Sequence, residues 1–267
     1  MKPSRAVLPL LLAGAFAFGA ARSHGGSFST APAKVFLDAD RKSAVLKVSN
    51  EGEEKLTIQA NVVKWAQDEK GNEQLIETDE IVFFPRIMTL DKGEEKSLRI
   101  GFETKGSVDV EKTYRLFLRE LPVVKPGEKA LKVALRLAVP VFISPKKKET
   151  KLAMGGVGVA EGKVVVTVKN SGNSHGLVEK ITVAGTDETG AAVFKKETSG
   201  WYVLAGSRKT FSVDIFEEEC RKTRSIRVTA KPEGLGAMEA TASVDGANCE
   251  KAPERSGTKR PDEEKGD

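Results

Sequence analysis

Short segments of alternating apolar and polar residues follow one another from residue 27 to about residue 249 of the chain. Alternation with a period of two is typical of a β-strand with one buried face, and no segment keeps a helical period for three turns. The expected strands cover residues 34–37, 44–49, 56–65, 81–84, 95–102, 113–120, 131–143, 163–169, 178–184, 192–196, 210–215, 225–230 and 237–244. Turn signals rich in Gly, Asn and Asp separate them, so the pattern predicts an all-β protein built from β-sandwiches.

A weak internal repeat predicts two copies of one architecture. The segment LKVSNEG at residues 46–52 resembles VTVKNSG at residues 166–172, and LDKG at 90–93 resembles LAG at 204–206. The total length of 267 residues fits two domains of ordinary size. We expect a first domain at residues 24–145 and a second at residues 146–249, with the boundary at Pro145 and the three lysines that follow it.

The two ends of the chain differ from this pattern. Residues 1–23 begin with Lys2 and Arg5 and continue as an apolar run rich in Ala and Gly, which is typical of a cleaved secretory signal peptide. An uncleaved anchor is the alternative, but a spanning helix needs about 20 strongly apolar residues. Residues 250–267 are highly charged and contain two prolines, so we expect a disordered tail. No later segment is apolar enough to span, and we expect an exported protein that is not embedded in a membrane.

The charge of the chain depends on the signal peptide. The formal net charge is +5 and the pI is about 9.0, which taken alone would suggest a polyanionic partner. Residues 1–23 contain three basic residues and no acidic residue, so their removal lowers the net charge to +2. A nearly neutral mature protein gives little reason to expect binding to nucleic acid.

Few residues of the chain are suited to catalysis or metal binding. The sequence has two histidines and two cysteines, and it contains no GxSxG, HExxH or Walker motif. We therefore expect no catalytic residue, no metal site, no cofactor and no enzyme activity. His175 is expected to be a solvated turn residue, whereas Trp65, Trp201 and Tyr202 are expected to pack in a core or between sheets.

Cys220 and Cys249 both lie in the expected second domain. In an exported protein the oxidising environment favours a disulfide between them. In the chain-entropy treatment a loop of this length gives a stabilisation of about 3–4 kcal/mol. A reactive free thiol is the alternative, although no neighbouring residue marks either cysteine as a nucleophile.

Residues 131–143 carry the most regular alternation in the chain. Leu131, Val133, Leu135 and Leu137 share one face of the expected strand, because successive strand residues point to opposite sides. One interpretation is an internal strand of a sandwich. The other is an edge strand that offers this apolar row to another protein, since exposed edge strands are normally blunted unless pairing is their purpose.

Several pieces of the sequence, taken together, resemble one protein family. They are AKVFLD (33–38), KVSN (47–50), FPR (84–86), LDKG (90–93), YRLFLRELP (114–122), PVFISP (140–145) and GWYVLAG (200–206). In their order and spacing they resemble the periplasmic pilus-assembly chaperones of the PapD type, from chaperone–usher systems, over most of residues 28–245. The last piece is similar to the branch that serves archaic or alternative pili.

The resemblance implies two immunoglobulin-like β-sandwich domains that meet at an angle near Pro145 and leave a cleft between them. It also implies a periplasmic chaperone that captures pilin or fimbrial subunits by donor-strand complementation and delivers them to an outer-membrane usher without ATP. Leu131, Val133, Leu135 and Leu137 would fill the open groove of an incomplete subunit. When free, such a chaperone would be a monomer or would associate weakly with itself.

Three positions depart from the better-known members of that family. Lys34 stands where they have the arginine that binds the subunit's C-terminal carboxylate, Pro140 replaces a second, lysine anchor, and Ser144 replaces a linker arginine. Lys34 is therefore the candidate carboxylate anchor, with the charge but without the bidentate geometry of arginine. Two other functions stay open, namely a structural or adhesive component of a surface fibre and a periplasmic enzyme.

Overall fold

The computed structural model describes residues 28–103, 106–121, 134–244 and 249. Within these ranges the protein consists of β-strands and a single short helix, which confirms the all-β class expected from the alternating pattern. The strands form two pairs of sheets, one from residues 28–143 and one from residues 152–243, which we call the first and the second sandwich. The expected signal peptide and tail lie outside the described residues.

The first sandwich contains ten strands. They are β1 (Phe28–Ala31), β2 (Val35–Leu37), β3 (Ser43–Asn50), β4 (Leu56–Gln67), β5 (Glu73–Glu77), β6 (Ile81–Phe84), β7 (Ile87–Leu90), β8 (Glu95–Phe102), β9 (Lys112–Glu120) and β10 (Arg136–Ile143). One sheet has the order β1-β3-β8-β6, and the other has the order β2-β10-β9-β4-β5 with β7 paired to β4. Every pair is antiparallel except β2 with β10, which is parallel.

Alternation along these strands places every second side chain between the two sheets. Leu46 of β3 and Leu98 of the paired β8 are fully buried, and they meet Ile58 of β4 and Leu116 of β9 in one apolar core. Burial of a side chain of this size contributes about 1.5–3 kcal/mol. The hydrophobic pattern of the sequence is thus the main source of stability of the first sandwich.

The second sandwich contains eight strands and one helix. They are β11 (Leu152–Ala160), β12 (Lys163–Asn170), β13 (Gly176–Thr186), β14 (Ala192–Ser199), β15 (Tyr202–Val203), β16 (Arg208–Asp214), α1 (Glu217–Lys222), β17 (Ser225–Pro232) and β18 (Met238–Ser243). One sheet has the order β11-β12-β16, and the other has the order β14-β13-β17-β18 with β15 paired to β13. Among the described residues, no helix is long and apolar enough to cross a membrane.

The short helix α1 is attached to the end of the second sandwich. It has three acidic residues in its first turn and Arg221 and Lys222 in its last, which suits the helix dipole at both ends. Its buried residue Cys220 is joined to Cys249 by a disulfide bond, the pairing expected from the sequence. A helix of six residues is too short for a helical period to be visible, so the sequence pattern did not predict it.

The internal repeat corresponds to one structural device used twice. Asn50 ends β3 and Asn170 ends β12, and both are buried. The Nδ2 of Asn50 donates to Asp91 O (3.0 Å), and that of Asn170 donates to Val203 O (3.0 Å). Their backbone N–H groups donate to Glu94 O and Ser207 O. Each asparagine therefore holds the turn after its own strand against the following hairpin of the same sandwich.

Some strands gave no signal in the sequence, namely β1, β5, β7, β11 and β15. The glycine-rich strand β11 is instructive, because its register against β12 shifts between Gly155 and Val157, and Gly156 has a positive φ of 55°. Such a bulge interrupts the alternation of side chains, and glycines add no hydrophobic pattern of their own.

Candidate functional site

The last strand of the first sandwich has one edge that is only partly covered. Strand β10 pairs with β9 over its whole length, from Arg136 to Ile143. On its other side it pairs with β2, but only from Val141 to Ile143. Within the described part of the chain, no strand pairs with the segment from Arg136 to Pro140 on that side. We call this segment the open edge.

The hydrogen-bond pattern fixes which backbone groups the open edge offers. Glu120 donates its backbone N–H to Leu135 O (2.9 Å), so alternate residues counted from Leu135 direct their backbone groups toward β9. The residues between them, Arg136, Ala138 and Pro140, direct theirs away from β9. The bond from Ser144 N–H to Leu37 O (2.8 Å) agrees with this alternation.

Proline at position 140 is compatible with this geometry. A backbone N–H at position 140 would point to the open edge and away from β9. Because proline lacks only this N–H, the ladder with β9 loses no hydrogen bond. The open edge therefore offers an N–H and a carbonyl from Arg136 and the same pair from Ala138, whereas the parallel pairing of Val35 with Val141 uses the Pro140 carbonyl as the acceptor for Val35 N–H. A partner strand finds its last donor at Ala138.

The side chains of β10 change from half-buried to buried along the strand. Leu135 and Leu137 are half-buried and pack against the core of the first sandwich, while Val139 and Val141 on the same face are fully inside it. On the opposite face the Arg136 guanidinium lies 3.7 Å from the centre of the Phe117 ring. Leu135 and Leu137 are thus close to the surface beside the open edge. Leu131 and Val133, the other two residues expected in this row, lie outside the described residues.

Lys34 lies at the end of the open edge. It directly precedes β2, and because Val35 pairs with Val141, Lys34 takes the position next to Pro140. Its ammonium group reaches across to the second sandwich, where Nζ lies 3.2 Å from a carboxylate oxygen of Glu233. Nζ is also 5.6 Å from the centre of the Tyr202 ring.

The surroundings of Lys34 keep it charged. Partial burial disfavours the ammonium form, but the nearby Tyr202 hydroxyl and the Glu233 carboxylate outweigh this and raise the pKa of Lys34 above its usual value. The group is therefore a cation at neutral pH, and it retains about a third of its side-chain surface exposed, 29%. It is available to a negatively charged ligand.

An aromatic cluster joins the two sandwiches beside this site. Trp65 and Phe142 of the first sandwich pack against Tyr202 and Leu204 of the second. The Gln67 side chain fixes the same contact, since its Nε2 donates to Tyr202 O (2.8 Å) and its Oε1 accepts from Leu204 N–H (2.9 Å). The burial expected for Trp65 and Tyr202 is present, but it occurs between the sandwiches rather than inside one.

Trp201 differs from its two aromatic neighbours in this region. It is partly exposed, at 38%, and its Nε1 donates to Glu73 Oε1 (2.8 Å) on the first sandwich. Glu73 Oε1 also forms an ion pair with the Arg115 guanidinium (3.1 Å). The same guanidinium lies 3.7 Å from the centre of the Trp65 ring. Burial lowers the pKa of Arg115 relative to a solvated arginine, with Glu73 opposing that change.

The expectation that His175 is a solvated turn residue is wrong. Its ring stacks on Phe142 with 3.9 Å between ring centres, and Nδ1 lies 2.7 Å from Glu111 Oε1. The same oxygen accepts the His175 backbone N–H (2.9 Å). A turn after β12 thus carries His175 into the joint between the sandwiches, a position that local sequence does not reveal.

Ser144, which stands where the resemblance would place a linker arginine, does not take over an ionic role. It is buried, and its Oγ has no hydrogen-bond partner among the described residues. A nearly fully buried acidic side chain at the joint is Glu111, whose carboxyl group contacts His175. The polar contacts of this joint therefore differ from those expected of the better-known family members.

A comparison with known protein families gives a match to the first sandwich. Residues 27–149 match the family described as "Pili and flagellar-assembly chaperone, PapD N-terminal domain". The match covers the first sandwich and leaves the second outside it. The resemblance to PapD-type chaperones expected from the sequence pieces is confirmed. A comparison with curated protein sequences gave no match.

Solved structures of pilus chaperones share the fold of this chain. One is the chaperone–tip adhesion subunit pre-assembly complex CsuC–CsuE from archaic chaperone–usher Csu pili of Acinetobacter baumannii, with 19% identity, a TM-score of 0.57, and coverage of 81% of this chain and 98% of that chain. Another is the Salmonella enterica SafA pilin in complex with the SafB chaperone, with 16% identity, a TM-score of 0.52, and coverage of 82% and 96%. At these identities the likeness describes the fold of both sandwiches.

Several residues near the open edge gave no signal in the sequence. Glu233 meets Lys34 across 199 positions, and Gln67 meets Leu204 across 137. Contacts between sandwiches depend on how two separate folds meet, which periodicity does not report. Tyr202 is different, because it lies in a sequence piece that already resembled the archaic or alternative branch. Among the described residues, no group of His, Cys, Asp and Glu is arranged to hold a metal ion.

Proposed function

We propose that this protein is a periplasmic chaperone that captures pilin or fimbrial subunits by donor-strand complementation and delivers them to an outer-membrane usher. The observation that carries the proposal is the open edge of β10 from Arg136 to Pro140. Addition of a strand to such an edge is a known mode of recognition, in which main-chain bonds supply affinity and alternate side chains supply specificity. The family of the first sandwich supports the same role.

The position of β2 supports one direction for the added strand. Because β2 runs parallel to β10 and begins at Val35, a strand on the open edge lies in line with β2. If that strand also runs parallel to β10, its C-terminal end reaches Lys34. A free carboxylate there meets a cation, whereas an antiparallel strand would bring its N-terminal side to the same cation. Charge complementarity therefore favours the parallel direction, with Lys34 as the carboxylate anchor.

The energetics of capture combine two terms. The backbone groups of Arg136 and Ala138 that face the open edge can form hydrogen bonds worth about 0.5–1.5 kcal/mol each. Leu135 and Leu137 can bury the rest of their side chains at about 25 cal/mol per Å². We propose that Leu131 and Val133 extend this row. No step of such an exchange needs ATP, and we expect the free chaperone to be a monomer or to associate weakly.

A proline substitution at Ala138 tests the open edge directly. Ala138 is exposed and its N–H faces away from β9, so Ala138→Pro removes the last donor of the edge and leaves the ladder with β9 intact. Pro140 is a precedent for proline at such a position. The full chain is co-expressed with a small secreted protein encoded next to it, and the amount of one-to-one complex is measured by native mass spectrometry. We expect Ala138→Pro to weaken capture by about tenfold or more.

Two matched variants control for effects of proline and of side-chain size. Thr241 is an exposed residue of β18 that also faces away from its paired strand, so Thr241→Pro makes the same change at an edge of the second sandwich. Ala138→Val keeps the N–H and adds bulk. Both controls should capture as well as the unmodified chain. Equal capture by Ala138→Pro and Ala138→Val would contradict the proposal, and a fibre component, which brings its own donor segment, would then become the better hypothesis.

A further inference from the structure

The candidate carboxylate anchor of this protein already has a carboxylate bound to it. Lys34 Nζ lies 3.3 Å from Glu233 Oε1 and 3.2 Å from Oε2, so both oxygens share the ammonium group. Glu233 belongs to the second sandwich and directly follows β17, whereas Lys34 directly precedes β2 of the first. The ion pair therefore spans the cleft between the sandwiches at the end of the open edge.

Glu233 is held in a way that lets its side chain leave. Its backbone N–H donates to Leu177 O (2.8 Å), which keeps the main chain beside the cleft. Its side chain is 53% exposed, and that of Lys34 is 29% exposed. Ion pairs at this level of exposure are weak, because water stabilises the two separated charges almost as well as the charges stabilise each other. A competing carboxylate can thus replace Glu233 without disturbing the fold.

The neighbouring position adds no second cation. Pro140 lies beside Lys34 in the register of the sheet and carries no charge. A ligand carboxylate that arrives at the end of the open edge therefore meets an ammonium group that Glu233 has already neutralised. Two carboxylates that share the single ammonium group of Lys34 repel each other, so Glu233 weakens the binding of a ligand carboxylate at this site.

We propose that Glu233 is an internal competitor for the carboxylate-binding site at Lys34. In the free protein Glu233 occupies the site, and the C-terminal carboxylate of a strand bound to the open edge displaces it. This inference rests on the proposed function, because it assumes that a strand binds there with its C-terminus at Lys34. Capture of a subunit then breaks one ionic contact between the two sandwiches, which couples binding to the strength of their joint.

The test compares two peptides that differ only at the C-terminus. Each is a synthetic strand of about eight residues with alternating Val and Thr, preceded by solubilising lysines; one ends in a free carboxylate and the other in an amide. Dissociation constants for the full chain are measured by isothermal titration calorimetry. We expect Glu233→Gln to tighten binding of the carboxylate peptide by about two- to fivefold and to leave the amide peptide unchanged.

A matched control separates competition from a general change of charge. Glu197 is paired with Lys180 within the second sandwich, and both side chains are about as exposed as Glu233. Glu197→Gln therefore removes the same charge away from the cleft and should change neither affinity. In a Lys34→Ala background, Glu233→Gln should bring no gain, because the shared ammonium group is gone. Thermal unfolding confirms that each variant is folded.

The outcomes distinguish this inference from the proposal beneath it. If the free-carboxylate and amide peptides bind equally to every variant, the competition is refuted while strand addition at the open edge stands. If Glu197→Gln tightens binding as much as Glu233→Gln, the effect is one of net charge and the competition is likewise refuted. If neither peptide binds to any variant, strand addition itself fails, and the role of Glu233 fails with it.

Discussion

The two sandwiches share one construction and differ in the strand that closes each of them. Asn50 and Asn170 make equivalent bonds to the turns that follow their strands. Among the described residues, the closing strands β10 and β18 both leave backbone groups without a pairing strand on one side. For β18, Val244 N–H donates to Arg224 O, which places Thr241 on the outer side. Both sandwiches therefore have an edge to which another strand can be added.

The side chains beside the two edges are what separates them. Beside the open edge of β10 lie Leu135 and Leu137, and Lys34 stands at its end. Beside the edge of β18 lie Met238 and the small Ala240 and Ala242. Unpaired backbone groups alone do not make a binding strand. Under the proposed function, the large apolar side chains of β10 add specificity to the main-chain bonds, and Lys34 sets the direction of the bound strand.

The largest expected effect concerns the disulfide, which only the second sandwich has among the described residues. Replacing both Cys220 and Cys249 with serine should lower the free energy of unfolding of the second sandwich by about 3–4 kcal/mol, because the unfolded chain regains the entropy of an open loop. Amide hydrogen exchange followed strand by strand measures this. Strands β12 and β17 should lose protection, while β4 and β9 should keep theirs. Equal losses in all four strands would mean that the sandwiches unfold as one unit.

The asparagine turns test whether the two sandwiches are built alike. Asn50→Ala and Asn170→Ala should each lower the free energy of unfolding by about 2 kcal/mol, since each leaves buried carbonyl groups without a donor. Urea denaturation measures the change. Asn61→Ala, at an exposed position of β4, is the control and should have almost no effect. A large loss of unfolding free energy for only one of the two variants would show that Asn50 and Asn170 do not have equivalent structural roles.

The sequence was sufficient for the parts of the structure that follow local rules. Alternation located most strands, the repeat at Asn50 and Asn170 indicated two similar sandwiches, and the sequence pieces around β9 and β10 carried the resemblance to PapD-type chaperones. Strand β11 was missed because its glycines and its bulge hide the alternation. Helix α1 was missed because six residues are fewer than two full turns.

The joint between the sandwiches could not be predicted for a different reason. Two contacts illustrate this, Lys34 with Glu233 and Glu111 with His175. Each connects residues that are far apart in sequence and lie in different sandwiches. Their proximity depends on the angle between the sandwiches, which the aromatic cluster of Trp65, Phe142 and Tyr202 helps to fix. The open edge lies between these two cases. Its apolar row was visible in the sequence, but the side on which its N–H groups point required the observed register.

The smallest expected effect on stability is also the one that best sharpens the comparison of closing strands. Leu137 is the second residue of β10 and Met238 the first of β18, and each is a half-buried side chain packed on its own core. Since a fully buried leucine or methionine costs about 2–5 kcal/mol when truncated, Leu137→Ala and Met238→Ala should each lower the free energy of unfolding by about 1–2 kcal/mol. Only Leu137→Ala should also reduce the yield of subunit complex on co-expression, because only β10 offers its side chains to a partner. If Met238→Ala reduces that yield equally, the loss reflects general instability, and the apolar row of β10 has no special role in capture.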